Sequence, residues 1–569
     1  VSRGNPAAGT GRHRLVSRRS VMKATAAAAV VSATAWQPVA SAATTLQAPP
    51  GFPQSLEIRQ RAFRNWSGQV SVDQAWTCSP RTAEEVVRLA NWAHATGWTL
   101  RPRGQAHGWS PFVLAPGHSA STILLDLREH FTARRVDPAA APTVTAQAGV
   151  LLEDLLADLE RAGLGLAAHP APGDLTIGGV LAIGGHGTGI STGPGDTARY
   201  GSVSNLVRSL RAIVWDPASQ GYREREFGRG DPEMPALLVN LGRVLITEAT
   251  LDVQPNRRLL CRSVLDVPVG EVFAAPEHAT ERSFANQLAA TGAAEVIWFP
   301  YTEFPWTKYW SVRPEAPRCA RRVASPYNYG FSDSLPDSVT AVVGQVTAGA
   351  CALTPALMHA LITVASTGLL ATGTLDVWGW AKDVLLYVRP TTLRVTANGY
   401  AVLTRRAEVQ RVVSDFHQAL EQLLGDYRAR GEYPMNGPLE VRVTELDEHA
   451  APPLLSAIKP CPQRPEFDVA VWFDVLTVPG THASGNFFRD LEEWAVDHYC
   501  GDYALVRPEW SKGWAYGAGG AWSDEHFLTR TIPAAHGRAD WDRAAALFER
   551  MDPHGVFAGP LHRTLFPTP

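Results

Sequence analysis

Arg101-Pro102-Arg103-Gly104-Gln105-Ala106-His107-Gly108 is the stretch that decides the fold. A second glycine-dense run follows it, Ile177-Gly178-Gly179-Val180-Leu181-Ala182-Ile183-Gly184-Gly185-His186-Gly187-Thr188-Gly189. Glycines packed this closely let backbone N–H groups approach an anionic ligand without Cβ obstruction. Neither run carries a Walker lysine or the strand–Gly-x-Gly-x-x-Gly–helix arrangement. Together they read as a pyrophosphate cradle that is neither a P-loop nor a Rossmann turn.

The flanking segments supply a scaffold. Thr82-Ala83-Glu84-Glu85 fits a capping box, and Val86, Leu89, Ala90 and Ala93 recur at helical spacing until Gly97. Thr122–Leu127 and Thr143–Val150 read as strands, the second alternating Val144, Ala146, Ala148 and Val150. Leu151–Ala162 reads as an amphipathic helix stopped at Gly163, and Gly242 turns the chain into a strand through Leu251.

Four of these segments come in a telling order. They are Pro80-Arg81-Thr82-Ala83-Glu84-Glu85-Val86, the Arg103-Gly104-x-x-His107-Gly108 loop, the Gly184–Gly189 run and Gly242-Arg243-Val244-Leu245-Ile246-Thr247. In that order they resemble the FAD-binding half of the vanillyl-alcohol oxidase (PCMH-type) flavoproteins. The resemblance implies an α+β fold: an FAD-binding domain of two α+β subdomains, with an α+β substrate-binding cap. It implies FAD held by Arg103, Gly104, Gln105, Ala106, His107 and Gly108 of the first loop. From the second region come Gly173, Asp174, Ile177, Gly178, Gly179, Gly184, Gly185, His186, Gly187 and Gly189, and from the third Gly242, Val244 and Ile246.

The resemblance also implies a covalent bond from His107 to the flavin 8α-methyl, made by a neutral imidazole nitrogen. Composition alone favours a histidine that caps a turn. In a bicovalent branch resembling berberine-bridge enzymes, a cysteine precedes the glycine run. The matching position here is Asp174, and no cysteine lies between Cys78 and Cys261, so a single attachment is expected. His186 reads as structural, and His94 and His169 as ordinary.

At 569 residues the chain exceeds one typical core, and its 45% hydrophobic and 19% charged content is that of a globular protein. No segment offers ~20 unbroken apolar residues for a membrane span. Residues 1–42 hold six basic residues and no acid, so the net charge of −3 becomes −9 without them. That acidic remainder gives no reason to expect nucleic-acid binding. Ser17-Arg18-Arg19-Ser20-Val21-Met22-Lys23, the apolar Ala24–Val31 and Ala40-Ser41-Ala42 read as a twin-arginine export signal and cleavage site, hence a secreted protein. The six scattered cysteines form no C-x-x-C, which argues against a metal site and for mostly free, buried thiols. The expected organisation is the signal at 1–42, the FAD domain at 43–255, the cap at 256–500 and a C-terminal return at 501–569.

Within the cap, Thr354–Leu369 and Arg406–Leu424 read as helices. Pro438–Thr444 reads as a strand on which Glu440 and Arg442, two apart, share a face. Glu295, Ile297 and Phe299 share a face likewise, ahead of an aromatic stretch from Trp298 to Trp310 that serves either as core or as the wall of a flat apolar pocket. Asn486 stands polar among aromatics.

The whole pattern, including Ile297-Trp298-Phe299-Pro300-Tyr301-Thr302-Glu303, is most similar to the covalent-FAD (type II) cholesterol oxidases of actinobacteria. That branch implies roles for Glu295, Glu440 and Arg442 at the active site and an oxygen channel, with Asn486 as a further candidate. The expected activity is oxidation of a 3β-hydroxysteroid with O2 reduced to H2O2, followed by Δ5 to Δ4 isomerisation if a carboxylate relays the proton. An alditol or sugar oxidase of the same fold, and a sterol-binding protein without turnover, remain open. The expected partners are sterol, O2 and a transient membrane surface, with no metal and with the oligomeric state open.

Overall fold

The computed structural model describes residues 49–567, apart from 116, 194, 331–336, 388–393 and 449. The proposed export signal lies outside the described residues. Among the described residues three large sheets and one two-stranded pair, Leu164–Gly165 with Gln254–Pro255, organise the chain, and with the helices they form the expected α+β class.

The first sheet has four strands in the order Ile58–Arg64, Ser71–Cys78, Thr122–Asp126, Thr99–Arg103, antiparallel at the first pair and parallel beyond it. Against it packs the helix Ala83–Thr96, which buries Val86, Leu89, Ala90 and Ala93 and ends at Gly97 in the left-handed conformation. Thr82 caps this helix by accepting from the Glu85 amide at 3.3 Å. The return bond of the box runs from the Arg81 amide to Glu85 rather than from Thr82, one residue earlier than the pattern predicts. The second sheet is antiparallel, in the order Arg134–Asp137, Thr143–Gln147, Leu245–Asp252, Val207–Asp216, Gly221–Gly228. The helix Leu152–Arg161 buries Leu152, Leu155, Leu156 and Leu159 in its core.

The third sheet has nine strands. Its order is Arg321–Arg322, Asp376–Trp380, Arg258–Val264, Trp306–Val312, Ala293–Trp298, Leu439–Glu445, Val469–Thr477, Thr396–Thr404, Ala504–Pro508. One face carries Val296, Trp298, Val441, Val443 and Phe473 into an apolar core under the helix Val409–Ala429. The other face is charged and looks onto a cavity. The strand Ala504–Pro508, which the sequence reading put in the returning segment, pairs instead with Thr396–Thr404 as the last strand of this sheet.

Beyond it, Arg538–Met551 and Pro560–Leu565 bury Trp541, Leu547, Phe548 and Leu561 in the core of the second sheet. Buried Arg101 fastens this return by donating to the carbonyls of Phe112, Gly242 and Phe557. The helix reaching from Cys351 to Thr372 is long and apolar enough to cross a membrane, with mean hydropathy 1.5. The expectation of no such segment counted unbroken apolar residues. Thr, Ser and His interrupt this helix, but no charge does. All six cysteines are free, as expected, but only Cys78, Cys261 and Cys461 are buried.

Candidate active site

A cavity of about 760 Å³ lies between the glycine loops and the charged face of the nine-stranded sheet. On the first side, the strand Thr99–Arg103 ends in the loop that carries Gly104 to Gly108. Ala106 there takes a left-handed φ of 57°. The amides of Gln105, Ala106, His107 and Gly108 have no acceptor among the described residues. Four consecutive amides left over in this way suit an anionic or carbonyl-rich ligand. A Cβ on Gly104 would collide with Thr176 Oγ1, and one on Gly187 would lie 2.5 Å from the His169 carbonyl oxygen. The glycines therefore let the two loops close on each other. These features fit the FAD that the loops lead one to expect.

His107 sits in the same loop, 6.2 Å from the Trp66 ring and nearly parallel to it. Its Nε2 lies 3.0 Å from Asp174 Oδ2. Burial pushes the Asp174 carboxyl up, but the His107 hydrogen bond and charge outweigh it and hold the carboxyl below its usual range. An ionised Asp174 can accept an Nε2–H, and in that tautomer Nδ1 carries the ring's lone pair.

The cavity also touches Arg103, Gly178, Gly179, Gly185, His186, Gly242, Val244 and Ile246. Of the other expected cofactor residues, Gly173 bonds the Tyr387 carbonyl through its amide. Ile177 is buried at the start of the helix Ile177–Ala182. Gly184 and Gly189 take φ values of 66° and 148° in the backbone behind the wall. They shape the loop without lining the cavity. His186 stacks on Trp472 at 3.4 Å with its plane 6° away. His169 is fully buried, and burial lowers it to about 4, so it is neutral.

The opposite wall is built by strand pairing. Lys308 pairs with Glu295, Glu295 with Arg442 and Arg442 with Trp472, one row across four strands. The neighbouring row holds Trp306, Ile297, Glu440, Asp474 and Gly399. Directly paired residues share a face, so the two rows make one charged patch. Glu295 is bonded by Lys308 Nζ at 2.8 Å and by Arg442 Nη1 at 3.2 Å. Arg442 Nη1 also meets Glu440 Oε2 at 3.1 Å, and Nη2 meets Asp474. Lys512 Nζ lies 3.1 Å from Asp474 Oδ2 and 4.0 Å from Glu509 Oε1, above the Trp109 ring.

The cluster thus sets the carboxylates Glu295, Glu440, Asp474 and Glu509 against the cations Lys308, Arg442 and Lys512. His186 Nε2 stands 3.8 Å from Glu509 Oε1 at the edge of the cluster. Burial pushes Glu440 up against the pull of Arg442, with the charges of Glu295 and Asp474 reinforcing burial. For Glu295, burial also pushes up, but Lys308 and Arg442 win and hold it low. Glu509 is held low by Lys512 and His186 against the same burial. A buried acid in this state, beside two cations, can take or give a proton.

Ile297, Trp306 and Trp310 flank the patch on the same sheet face, Phe299 follows them, and Leu361 and Val364 of the helix Thr354–Thr372 form an apolar roof. Glu295, Glu440 and Arg442 are therefore brought together as the sequence predicts. Asn486 is not. It lies exposed in the first turn of the helix Ser484–His498, because the neighbouring Phe487 and Phe488 take the buried face. Lys308, Asp474, Glu509 and Lys512 were missed. The hairpin pairing of Lys308 with Glu295 is a signal that alternation could have exposed, whereas nothing local joins Lys512 to Arg442.

Comparisons with known proteins agree with this geometry. Residues 258–567 match the family model described as cholesterol oxidase, substrate-binding, and residues 75–216 match that of an FAD binding domain. Among solved structures the chain is similar to a solvent-stable cholesterol oxidase, with 48% identity, a TM-score of 0.89 and coverage of 91% of this chain and 100% of that one. It is similar to cholesterol oxidase from B. sterolicum with 41% identity, a TM-score of 0.89 and coverage of 92% and 100%. L-gulonolactone oxidase 3 of Arabidopsis thaliana is 24% identical over 245 residues, 42% of this chain and 39% of that protein. A long-chain alcohol oxidase of an uncultured marine euryarchaeote is 25% identical over 250 residues, 44% and 45% of the two. The chain spans less than half the length of these last two relatives.

Proposed function

This chain belongs to the cholesterol oxidase family, and from that premise we propose that it oxidises the 3β-hydroxyl of cholesterol or a related sterol and passes the electrons to O2. The observation that carries the reading is the charged patch of Glu295, Glu440 and Arg442 under an apolar roof. FAD, when bound, supplies the hydride acceptor and returns the electrons to O2, giving H2O2.

The chain's own residues do the rest. The amides of 105–108 and the glycines of the second loop receive the cofactor. Nδ1 of His107 makes the single covalent bond, its tautomer set by Asp174. Glu440, with its raised affinity for a proton, takes the hydroxyl proton. Arg442 and Lys512 stabilise the developing alkoxide and then the dienolate. Once that proton has passed on to the peroxide or to solvent, the same carboxylate takes the C4 proton and returns it at C6 for the Δ5 to Δ4 shift. A polyol would leave its hydroxyls unmatched against Ile297, Phe299, Trp306 and Leu361, which argues against a sugar oxidase.

Contact with a lipid surface is supported by the helix Thr354–Thr372. Leu361, Val364 and Ala365 line the cavity, Leu370 on the same helix is 66% exposed, and residues 338–375 contain no Asp, Glu, Lys or Arg. Export through the twin-arginine route is proposed from Arg18 and Arg19. The deciding experiment measures peroxide release with cholesterol and, separately, with xylitol or sorbitol. Turnover of cholesterol alone is expected. Turnover of the polyols with none of cholesterol would overturn the reading.

A further inference from the structure

Lys512 stands on a loop, yet its ammonium is fixed between two carboxylates, and the cause can be traced. On either side of Lys512, the loop is clamped to the strand Thr396–Thr404. The Glu509 amide donates to the Gly399 carbonyl at 3.0 Å and the Gly513 amide to the Ala397 carbonyl at 2.7 Å. Gly399 makes room for the lysine, since a Cβ there would lie 2.5 Å from Lys512 Cγ and 2.9 Å from Asp474 Oδ1.

Downstream, the chain turns at Ala515, whose φ of 54° lies in the left-handed region that L side chains disfavour. Such a conformation persists only where its surroundings over-determine it. Here the Ala515 carbonyl accepts from the Ser523 and Asp524 amides at 3.0 and 3.1 Å, and one side chain holds the amide side of the turn. Glu492, 3% exposed on the buried face of the Ser484–His498 helix, accepts from the Ala515 amide at 2.9 Å and from the Tyr516 amide at 2.9 Å. The Tyr400 hydroxyl adds a third bond at 2.9 Å. No cation is paired with Glu492 among the described residues. Burial pushes its carboxyl up to about 7, a cost that an apolar side chain in the same space would avoid.

We propose that Glu492 is a positioning residue for the reaction: it holds the turn at 513–516 so that Lys512 stays between Asp474 and Glu509. Glu492 lies outside the cavity wall, so it acts on the chemistry only through Lys512. This rests on the reading of Lys512 as the cation beside the developing oxyanion.

A double-mutant cycle on flavin-loaded protein tests it, with kcat expressed per bound flavin. Glu492→Gln lowers kcat on the order of 10–100-fold with KM nearly unchanged, as a displaced catalytic group does. In a Lys512→Met background the same substitution adds less than about twofold. Tyr400→Phe, which leaves both amide bonds intact, stays close to the unmutated rate. If Glu492→Gln does not load flavin, Glu492→Asp enters the same cycle under the same criteria. A damaged Lys512→Met on which the Glu492 substitution multiplies in full would overturn the inference alone. A Lys512→Met with unchanged kcat would overturn the reading of Lys512 and this inference with it.

Discussion

Buried carboxyls shared among a few cations govern the chemistry at the scale of single residues. Glu440 and Asp474 are the acids of the cluster that burial raises, while Arg442 binds both of them and Glu295 at once. Arg442→Ala removes one of the two cations assigned to the developing oxyanion and is expected to lower kcat by roughly 10²–10³-fold. Glu440→Gln keeps the shape but removes the base, so oxidation slows and the Δ5-3-ketone that does form accumulates as a larger share of the products, which chromatography will show. His107 is read by colour: after acid precipitation the yellow stays in the pellet, and in His107→Ala it moves to the supernatant. Yellow in the supernatant of the unmutated protein would sink the covalent bond. These residues were legible in the sequence because alternation on strands and a glycine-flanked histidine are local patterns. Lys512, Asp474 and Glu509 were not, because they join Arg442 only through sheet order and a loop clamp. Asn486 misled for a related reason: an amide among aromatics was read as aimed at a ligand, whereas helical period turned the aromatics inward and the amide out.

Among the elements, the glycine loops, the strand rows and one apolar helix each have a separable task. Gly104 touches Thr176, so Gly104→Ala forces the two loops apart and lowers the flavin content of the purified protein; undiminished loading would show that their close approach is dispensable. The helix Thr354–Thr372 is expected to meet lipid. Leu370→Asp should weaken co-sedimentation with neutral phosphatidylcholine vesicles yet spare turnover of detergent-dispersed sterol, and equal binding by both proteins would remove the helix from that role. Helix starts and stops were read well where a glycine takes a positive φ, as at Gly97 after the Ala83–Thr96 helix. The last strand of the cap was misplaced because Ala504–Pro508 pairs with a strand about a hundred positions earlier, a non-local choice that propensity does not encode.

For the whole molecule, acidity and destination are the properties to measure. The folded pKa of Glu492, about 7, lies above the ordinary carboxylate value of about 4.3. Its contribution to stability is therefore full below about pH 4 and is lost as pH rises through about 7. Relative to Glu492→Gln, the unmutated protein should lose melting temperature between pH 5 and 9, by the equivalent of at most about 3 kcal/mol. A pH-independent difference between the two would show that the carboxyl titrates normally. Lysine at both Arg18 and Arg19 is expected to retain the enzyme inside the cell, tested by activity in the medium.

The rows of charge belong to a sheet, whereas the roof over them belongs to a helix that adds little to that charge. Inheritance can therefore edit the two apart. Substitutions at Leu361, Val364 and Ala365 reshape which sterol skeleton is admitted without moving a single proton donor, so a lineage can drift between steroid diets while its redox chemistry stands still.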